Sequence, residues 1–259
     1  NFLKKFKNLK YIICNTTGID HINLNNFELK KIKIISLQND KNFMNKIDST
    51  AEFTFGLIIS LIRKIPFAFN DVLKFNWSRN KFIGKDLNKL KIGIIGMGRN
   101  GKKIANFAKV FKIKVQYFDA KNKKIKKYRK INNFKHFLST SDVVVITASL
   151  NATTNNLINA KTLKYFKKNS YLINTSRGEI VCEKSLIKAL KTKKIYGAAI
   201  DVIRNEQGKI FKNPLIKYAK HNNNLLITPH IGGANYDAWE KTENRVIDKF
   251  LKASRYGKR

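Results

Sequence analysis

The sequence predicts an α/β fold: a doubly wound parallel sheet together with a second, smaller α/β unit. Three observations predict it. Short, almost wholly apolar runs recur along the chain, residues 92–95 and 143–146 among them, and such runs suit strands buried on both faces of a parallel sheet. Amphipathic helical patterns alternate with these runs, which is the order of βαβ units. A glycine-rich turn follows the run 92–95 and opens a helix, as turns at the carboxyl ends of such strands do.

Residues 1–10 are basic and amphipathic, with Phe2, Leu3, Phe6 and Leu9 at helical spacing. Residues 11–15 read as a strand, 16–22 as a loop, 24–31 as a small helix and 32–37 as a second strand, which outlines part of the smaller unit. The polar stretch 39–48 reads as a loop. Residues 49–69 hold a strongly apolar helix broken near Pro66; a helix this apolar is expected to be buried, with a place between two domains. Residues 70–89 read as an arm whose aromatics, Phe75, Trp77 and Phe82, are exposed. That patch points to a subunit contact and a homodimer.

The central stretch comes next. Gly96, Gly98 and Gly101 follow the strand at G-x-G-x-x-G spacing: Gly96 for the tight turn, Gly98 so that no side chain blocks a pyrophosphate, Gly101 for close helix–sheet approach. The helix starts near Arg99 and has an apolar side of Ile104, Phe107, Ala108 and Phe111. Its free N–H groups and positive dipole end suit phosphates. A strand over 113–118 ends at Asp119, whose carboxylate can accept from a ribose 2′-OH and would repel a 2′-phosphate. Strand, glycines, helix, strand and acid in this order make a Rossmann unit with NAD favoured over NADP. Lys121, Lys123 and Lys124 follow closely and oppose that preference.

Further strands are expected over 142–148, 170–174, 195–200 and 225–227, with helices over 160–166, 184–191 and 237–254. Polar residues collect where these strands end: Thr175-Ser176-Arg177-Gly178, Asp201 with Glu206, and Thr228-Pro229-His230-Ile231-Gly232-Gly233. In a doubly wound sheet those ends line the ligand crevice, so Arg177, Asp201, Glu206 and His230 can converge although separate in sequence.

Composition narrows the function. At 259 residues and 43% hydrophobic content the chain can bury a core. Its formal net charge of +36 would ordinarily suggest nucleic acid. The cations are spread along the chain and only nine are arginine, so the charge reads as solvated surface and nucleic acid is not the expected partner. Only residues 121–130 are dense enough to form a local basic patch, expected to be an exposed loop or helix face. The longest apolar run, 53–62, is too short to span a bilayer, no signal-peptide pattern opens the chain, and the two cysteines, Cys14 and Cys182, are far apart; a cytoplasmic protein is expected. No Cys or His cluster has metal-ligand spacing, and His21, His136 and His221 read as loop or surface residues.

The chain resembles the D-isomer-specific 2-hydroxyacid dehydrogenases, the family of D-lactate, D-glycerate and D-3-phosphoglycerate dehydrogenases. Thr17-Gly18-Ile19-Asp20-His21-Ile22, Ala51-Glu52, the glycine loop with Asp119, Asn174-Thr175-Ser176-Arg177-Gly178, Asp201-Val202 with Glu206, and Pro229-His230-Ile231-Gly232-Gly233 carry the resemblance. It implies a substrate domain, flavodoxin-like and incomplete at its N-terminus, over residues 1–65 and completed by 236–259, and an NAD-binding Rossmann domain over 66–235. It implies that members begin with a further stretch forming the first strands of the substrate domain. It also implies hydride transfer between NAD(H) and a D-2-hydroxy acid or 2-oxo acid, with Arg177, Glu206 and His230 catalytic. The chemistry agrees: imidazole titrates near neutral pH, a neighbouring acid can hold it protonated, and a guanidinium fork suits a substrate carboxylate. By the same resemblance the backbone N–H groups of Thr17 and Gly18 hold that carboxylate, Arg99 and Asn100 meet the pyrophosphate, Ala148, Ser149 and Thr154 line the adenosine side, and Thr175, Ser176 and Asp201 sit near the nicotinamide. The chain departs from the family pattern at Ser149, where proline is common, at Lys46, where asparagine is common, and in Ile203-Arg204-Asn205, which lacks the usual aromatic and proline. An NAD(H)-binding regulator of corepressor type, or an inactive shortened homologue, would need the glycine loop but not the three catalytic residues.

Overall fold

The structure is a computed structural model and describes residues 6, 8–19, 22, 32–121, 125–206, 208 and 210–254. By its contacts the chain forms two compact units, Asn1–Ser49 with Gly233–Arg259, and Thr50–Gly232. The expected helix over 24–31, His21, Lys123, Lys124 and most of the segment 1–10 lie outside the described residues.

In the first unit, β1 (Tyr11–Ile13) and β2 (Lys33–Ile35) pair in parallel, with Ile12 opposite Ile34. The last helix, α9 (Tyr236–Ala253), closes over them: Ala238 and Val246 are buried with Ile35, Leu37, Met44 and Ile47, and the Tyr11 ring meets Phe250 edge-on at 5.3 Å. The stretch expected to be a loop before residue 49 contains a short helix, α1 (Lys41–Met44). The Asp40 carboxylate caps it by accepting from Phe43 N at 3.4 Å, and Arg245 Nε grips the other oxygen at 2.6 Å. The polar residues there serve as a cap, a role of Asp that polarity alone does not distinguish from a turn.

The second unit holds a seven-stranded sheet, all of whose described ladders are parallel. Its strands are β3 (Lys91–Ile95), β4 (Lys114–Phe118), β5 (Arg129–Lys130), β6 (Val143–Ile146), β7 (Ser170–Asn174), β8 (Ile195–Ile200) and β9 (Leu225–Ile227), in the order β5-β4-β3-β6-β7-β8-β9. The doubly wound fold predicted from sequence is therefore observed. The order reverses between β3 and β6, and the carboxyl ends of those two strands form the topological switch point. Alternate residues feed two cores. Ile92, Ile94, Val143 and Val145 pack against the helices α2 (Ser49–Ile62) and α4 (Arg99–Val110) on one face. Ile95, Val144, Ile146 and Leu172 pack with residues of α5 (Phe134–Ser139), α6 (Ala160–Leu163), α7 (Glu183–Lys191) and α8 (Pro214–Ala219) on the other. Each fully buried aliphatic side chain stabilises the sheet by about 1.5–3 kcal/mol, which makes the strand ends a rigid platform.

The apolar helix expected over 49–69 is two helices. α2 stops at Ile62, Lys64 turns left-handed at φ 55°, and α3 (Ile65–Val72) begins with Pro66 in its first turn. Proline lacks the N–H that a helix interior needs, so it starts a helix instead of merely kinking one. In the arm, Phe75 and Trp77 are 99% and 91% exposed, but Phe82 packs against the core beside α2 and is half-buried, contrary to expectation. Phe111, expected on the apolar side of α4, is 45% exposed although its ring meets Phe55 at 5.1 Å. The helix expected over 160–166 closes at Leu163. β5, α5 and α8 were not expected. No helix among the described residues is long and apolar enough to cross a membrane.

Candidate active site

The β3–α4 turn is a cradle. Gly96 sits at φ 89°, and a Cβ there would lie 2.7 Å from the Ala148 Cα and N, so only glycine fits beside the β6 end. Thr147 Oγ1 donates to the Gly96 carbonyl and ties the two strand ends together. A Cβ on Gly101 would lie 2.4 Å from Gly96 O, so the missing side chain lets α4 approach. Gly98 is the N-cap of α4, offers no side-chain cap, and faces open space: a Cβ there meets nothing within 4 Å among the described residues. The first N–H groups of the helix, from Arg99 and Asn100 among others, are thus presented with the positive dipole end outward. Asn100 Oδ1 is buried and has no hydrogen-bond partner among the described residues. Asp119 follows β4; its Oδ2 accepts from Met97 N at 2.7 Å and its Oδ1 from Lys121 N at 2.8 Å. Each oxygen keeps acceptor capacity for a ligand hydroxyl. An uncapped helix end, an open glycine and a fixed carboxylate fit a dinucleotide.

A second group forms where β7, β8 and β9 end. His230 Nδ1 lies 2.7 Å from Glu206 Oε2, and Glu206 Oε1 accepts from Ile203 N at 3.3 Å. His230 itself adopts the left-handed region at φ 55°. Asp201 holds it there. That carboxyl group, 2% exposed, accepts from Thr228 Oγ1 at 2.6 Å, Ile231 N at 3.0 Å and Gly232 N at 2.9 Å, while its carbonyl accepts from His230 N at 2.8 Å. The His230 imidazole is held above its ordinary pKa of 6.5. The hydrogen bond to Glu206 is the main cause, burial opposes it, the Glu206 charge adds to it, and Arg177 and Asp201 act in opposite directions. Arg177 follows β7. Its Nη1 donates to Ser176 O at 2.7 Å, and its carbonyl accepts from Asn174 Nδ2 at 2.9 Å.

Other expected contacts of the second unit follow the ends of β6 and β7. Ser176 Oγ donates to Ala148 O, which joins the ends of β6 and β7. Ser149 and Thr154 share one turn after β6, with Thr154 Oγ1 donating to Ser149 O at 2.8 Å. Thr175 Oγ1 pairs at 2.8 Å with the hydroxyl of buried Thr54 on α2. Thr17 and Gly18 belong to the first unit, where Thr16 Oγ1 donates to Gly18 O at 2.9 Å. Sequence reasoning missed Thr54, Thr147 and the loop-holding use of Asp201. The available signal was a Thr inside an apolar helix and another directly after an apolar strand, where a hydroxyl must find a partner.

Residues 55–232 match the family described as D-isomer specific 2-hydroxyacid dehydrogenase, NAD binding domain. The chain belongs to that family. It is 30% identical over 258 residues to a D-3-phosphoglycerate dehydrogenase of Bacillus subtilis, covering 97% of this chain and 46% of that one. It is 32% identical over 242 residues to an aromatic 2-oxoacid reductase of Clostridium sporogenes, covering 89% and 72%. Among solved structures it superposes on a D-lactate dehydrogenase from Aquifex aeolicus complexed with NAD and lactic acid, with a TM-score of 0.82, 28% identity and coverage of 97% and 79%. The chain thus spans less than half the length of the Bacillus relative and about three quarters of the others. NAD is the cofactor of this domain.

Proposed function

We propose that the protein catalyses reversible hydride transfer between NAD(H) and a D-2-hydroxy acid or 2-oxo acid. The observation that carries this reading is the 2.7 Å contact between His230 Nδ1 and Glu206 Oε2 at the strand ends. NADH, when bound in the cradle, supplies the hydride. Nδ1 is committed to Glu206, so Nε2 is the atom that gives a proton to the carbonyl oxygen in reduction and takes it back in oxidation. Glu206 favours the charged imidazole that reduction needs. Arg177 anchors the substrate carboxylate and draws electron density from the adjoining carbonyl. Thr17 and Gly18 enter as carboxylate donors on the family resemblance. Asp119 favours the ribose 2′-OH of NAD.

The test is NADH oxidation against a panel of 2-oxo acids. Turnover should fall by about 10²-fold or more in His230→Ala, the usual worth of a positioned acid, with NADH affinity nearly unchanged. Arg177→Lys should raise the 2-oxo-acid KM. No turnover on any member of the panel, with NADH bound, would refute the proposal.

We further infer a homodimer formed through the arm, supported by the exposure of Phe75, Trp77, Phe69, Leu73 and Ile83 on neighbouring stretches of chain. Light scattering should report twice the chain mass for the wild type, and Trp77→Ser should weaken that association. A cytoplasmic location is proposed on the two free cysteines, Cys14 and Cys182.

A further inference from the structure

The Glu206 carboxylate reaches His230 from a loop that no strand holds. After β8 ends at Ile200, the chain passes through Ile203 and Arg204 and turns left-handed at Asn205, φ 52°. Two devices outside the proposed reacting groups grip this loop. The first is Glu183 at the start of α7. It is 9% exposed, and its Oε1 accepts from the Arg204 backbone N–H at 2.8 Å. Asn213 Nδ2, 3.3 Å from each of its oxygens, braces it from the other side. The second is the Arg204 side chain, which reaches back over the segment after β7. Nη2 donates to Glu179 O at 2.7 Å and to Asn156 Oδ1 at 2.6 Å, and Nε donates to Val181 O at 3.2 Å. Between the two grips the Ile203–Arg204 peptide lies flat on Gly178. A Cβ on Gly178 would fall 2.1 Å from the Ile203 carbonyl carbon and 2.5 Å from Arg204 N.

Gly178 directly follows Arg177, and Glu206 lies two residues beyond Arg204. The grips therefore join the segment carrying the anchor to the segment carrying the acid. We propose that Glu183 and Arg204 are positioning residues, a clamp that locks the loop 202–206 onto the Arg177–Gly178 segment and so holds Glu206 against His230. This proposal rests on the reading of Arg177, Glu206 and His230 as the reacting set. A buried carboxylate whose acceptor capacity goes to a backbone N–H and an amide is costly to bury for packing alone. A guanidinium that binds two backbone carbonyls and a side-chain amide fixes a loop more strongly than a solvated lysine would.

The test reads the His230 imidazole, which the charges of Glu206, Arg177 and Asp201 face. Its Cε1–H resonance is followed by NMR against pH and assigned by its loss in His230→Ala. Glu206→Gln sets the scale, since it removes the charge and should move the titration to lower pH. Glu183→Ala and Arg204→Met should each move it by at least half of that distance, because the acid drifts from the ring. Glu183→Gln should stay closer to wild type than Glu183→Ala, because its amide oxygen still accepts from Arg204 N. Wild-type titration in Glu183→Ala and Arg204→Met, with Glu206→Gln shifted, would overturn the clamp and leave the His230–Glu206 pair intact. Wild-type titration in Glu206→Gln would instead overturn the reading of the pair, and the clamp with it. If circular dichroism shows that Glu183→Ala does not fold, Arg204→Met decides by the same criterion.

Discussion

Asp201→Ala should destabilise the protein by about 3 kcal/mol, and the structure supplies the parts of that figure. Asp201 is 2% exposed, and its carboxylate accepts from Thr228 Oγ1, Ile231 N and Gly232 N at 2.6, 3.0 and 2.9 Å. Gly232 is buried, so its N–H loses its partner without gaining water, at a cost of roughly 1–3 kcal/mol. Ile231 is exposed and Thr228 half-buried, so water replaces much of what those donors lose, and roughly 0.5–1 kcal/mol each remains. His230 stands at φ 55°, a conformation that costs a non-glycine residue roughly 1–2 kcal/mol and that these bonds maintain. Urea unfolding followed by circular dichroism measures the result. With a slope of about 3 kcal/mol per molar urea, the midpoint should fall by about 1 M. Asp201→Asn keeps the Oδ1 acceptor but turns an amide N–H toward Gly232 N, and should fall between wild type and the alanine variant. A midpoint shift under about 0.3 M for Asp201→Ala would refute the reasoning, because three bonds to a buried carboxylate cannot be worth so little.

Two further perturbations probe the site. The folded pKa of His230 lies above its ordinary value of 6.5, so its stabilising contribution is full below that value and is lost as pH rises through the folded pKa. Under the proposed mechanism, in which 2-oxo-acid reduction draws its proton from His230, the rate should decline over the same alkaline limb, and Glu206→Gln should move that limb to lower pH in a profile of kcat/KM; superimposable limbs would exclude tuning by Glu206. Gly98→Val should leave thermal stability within about 0.5 kcal/mol, because its Cβ enters open space, yet raise the NADH Kd by about tenfold or more by blocking the cradle; unchanged NADH affinity by calorimetry would remove Gly98 from the binding surface.

Much of this architecture was legible in the residues. Strands 170–174, 195–200 and 225–227 stand where apolar runs end in polar punctuation, and α4 begins at Arg99 where the glycine spacing puts it. What escaped was short or depended on context. β5 is two residues paired to the edge of β4, too brief to show a period. α8 carries a helix-start signal, the Asn213 cap followed by Pro214, but its six residues between polar stretches resemble a turn. Phe82 follows two exposed aromatics in the same polar arm, and only the neighbouring core takes it out of water.

The sequence by itself determined the α/β class, the glycine-rich turn that opens α4 and the set of strand ends where polar residues gather, because local periodicity reports which face of an element is buried and glycine spacing reports where backbone must be bare. Only the tertiary structure decided which of those polar groups meet. Asp201 gives its carboxylate to the loop of Thr228 to Gly232, while Glu206 reaches His230 across 24 residues of chain. Left-handed residues at Asn205 and His230 aim those side chains, and a sequence does not show such turns when the residue making them is not glycine. Hydrogen bonds between distant loops depend on the path of every strand that separates them, and that path exists only once the sheet is assembled.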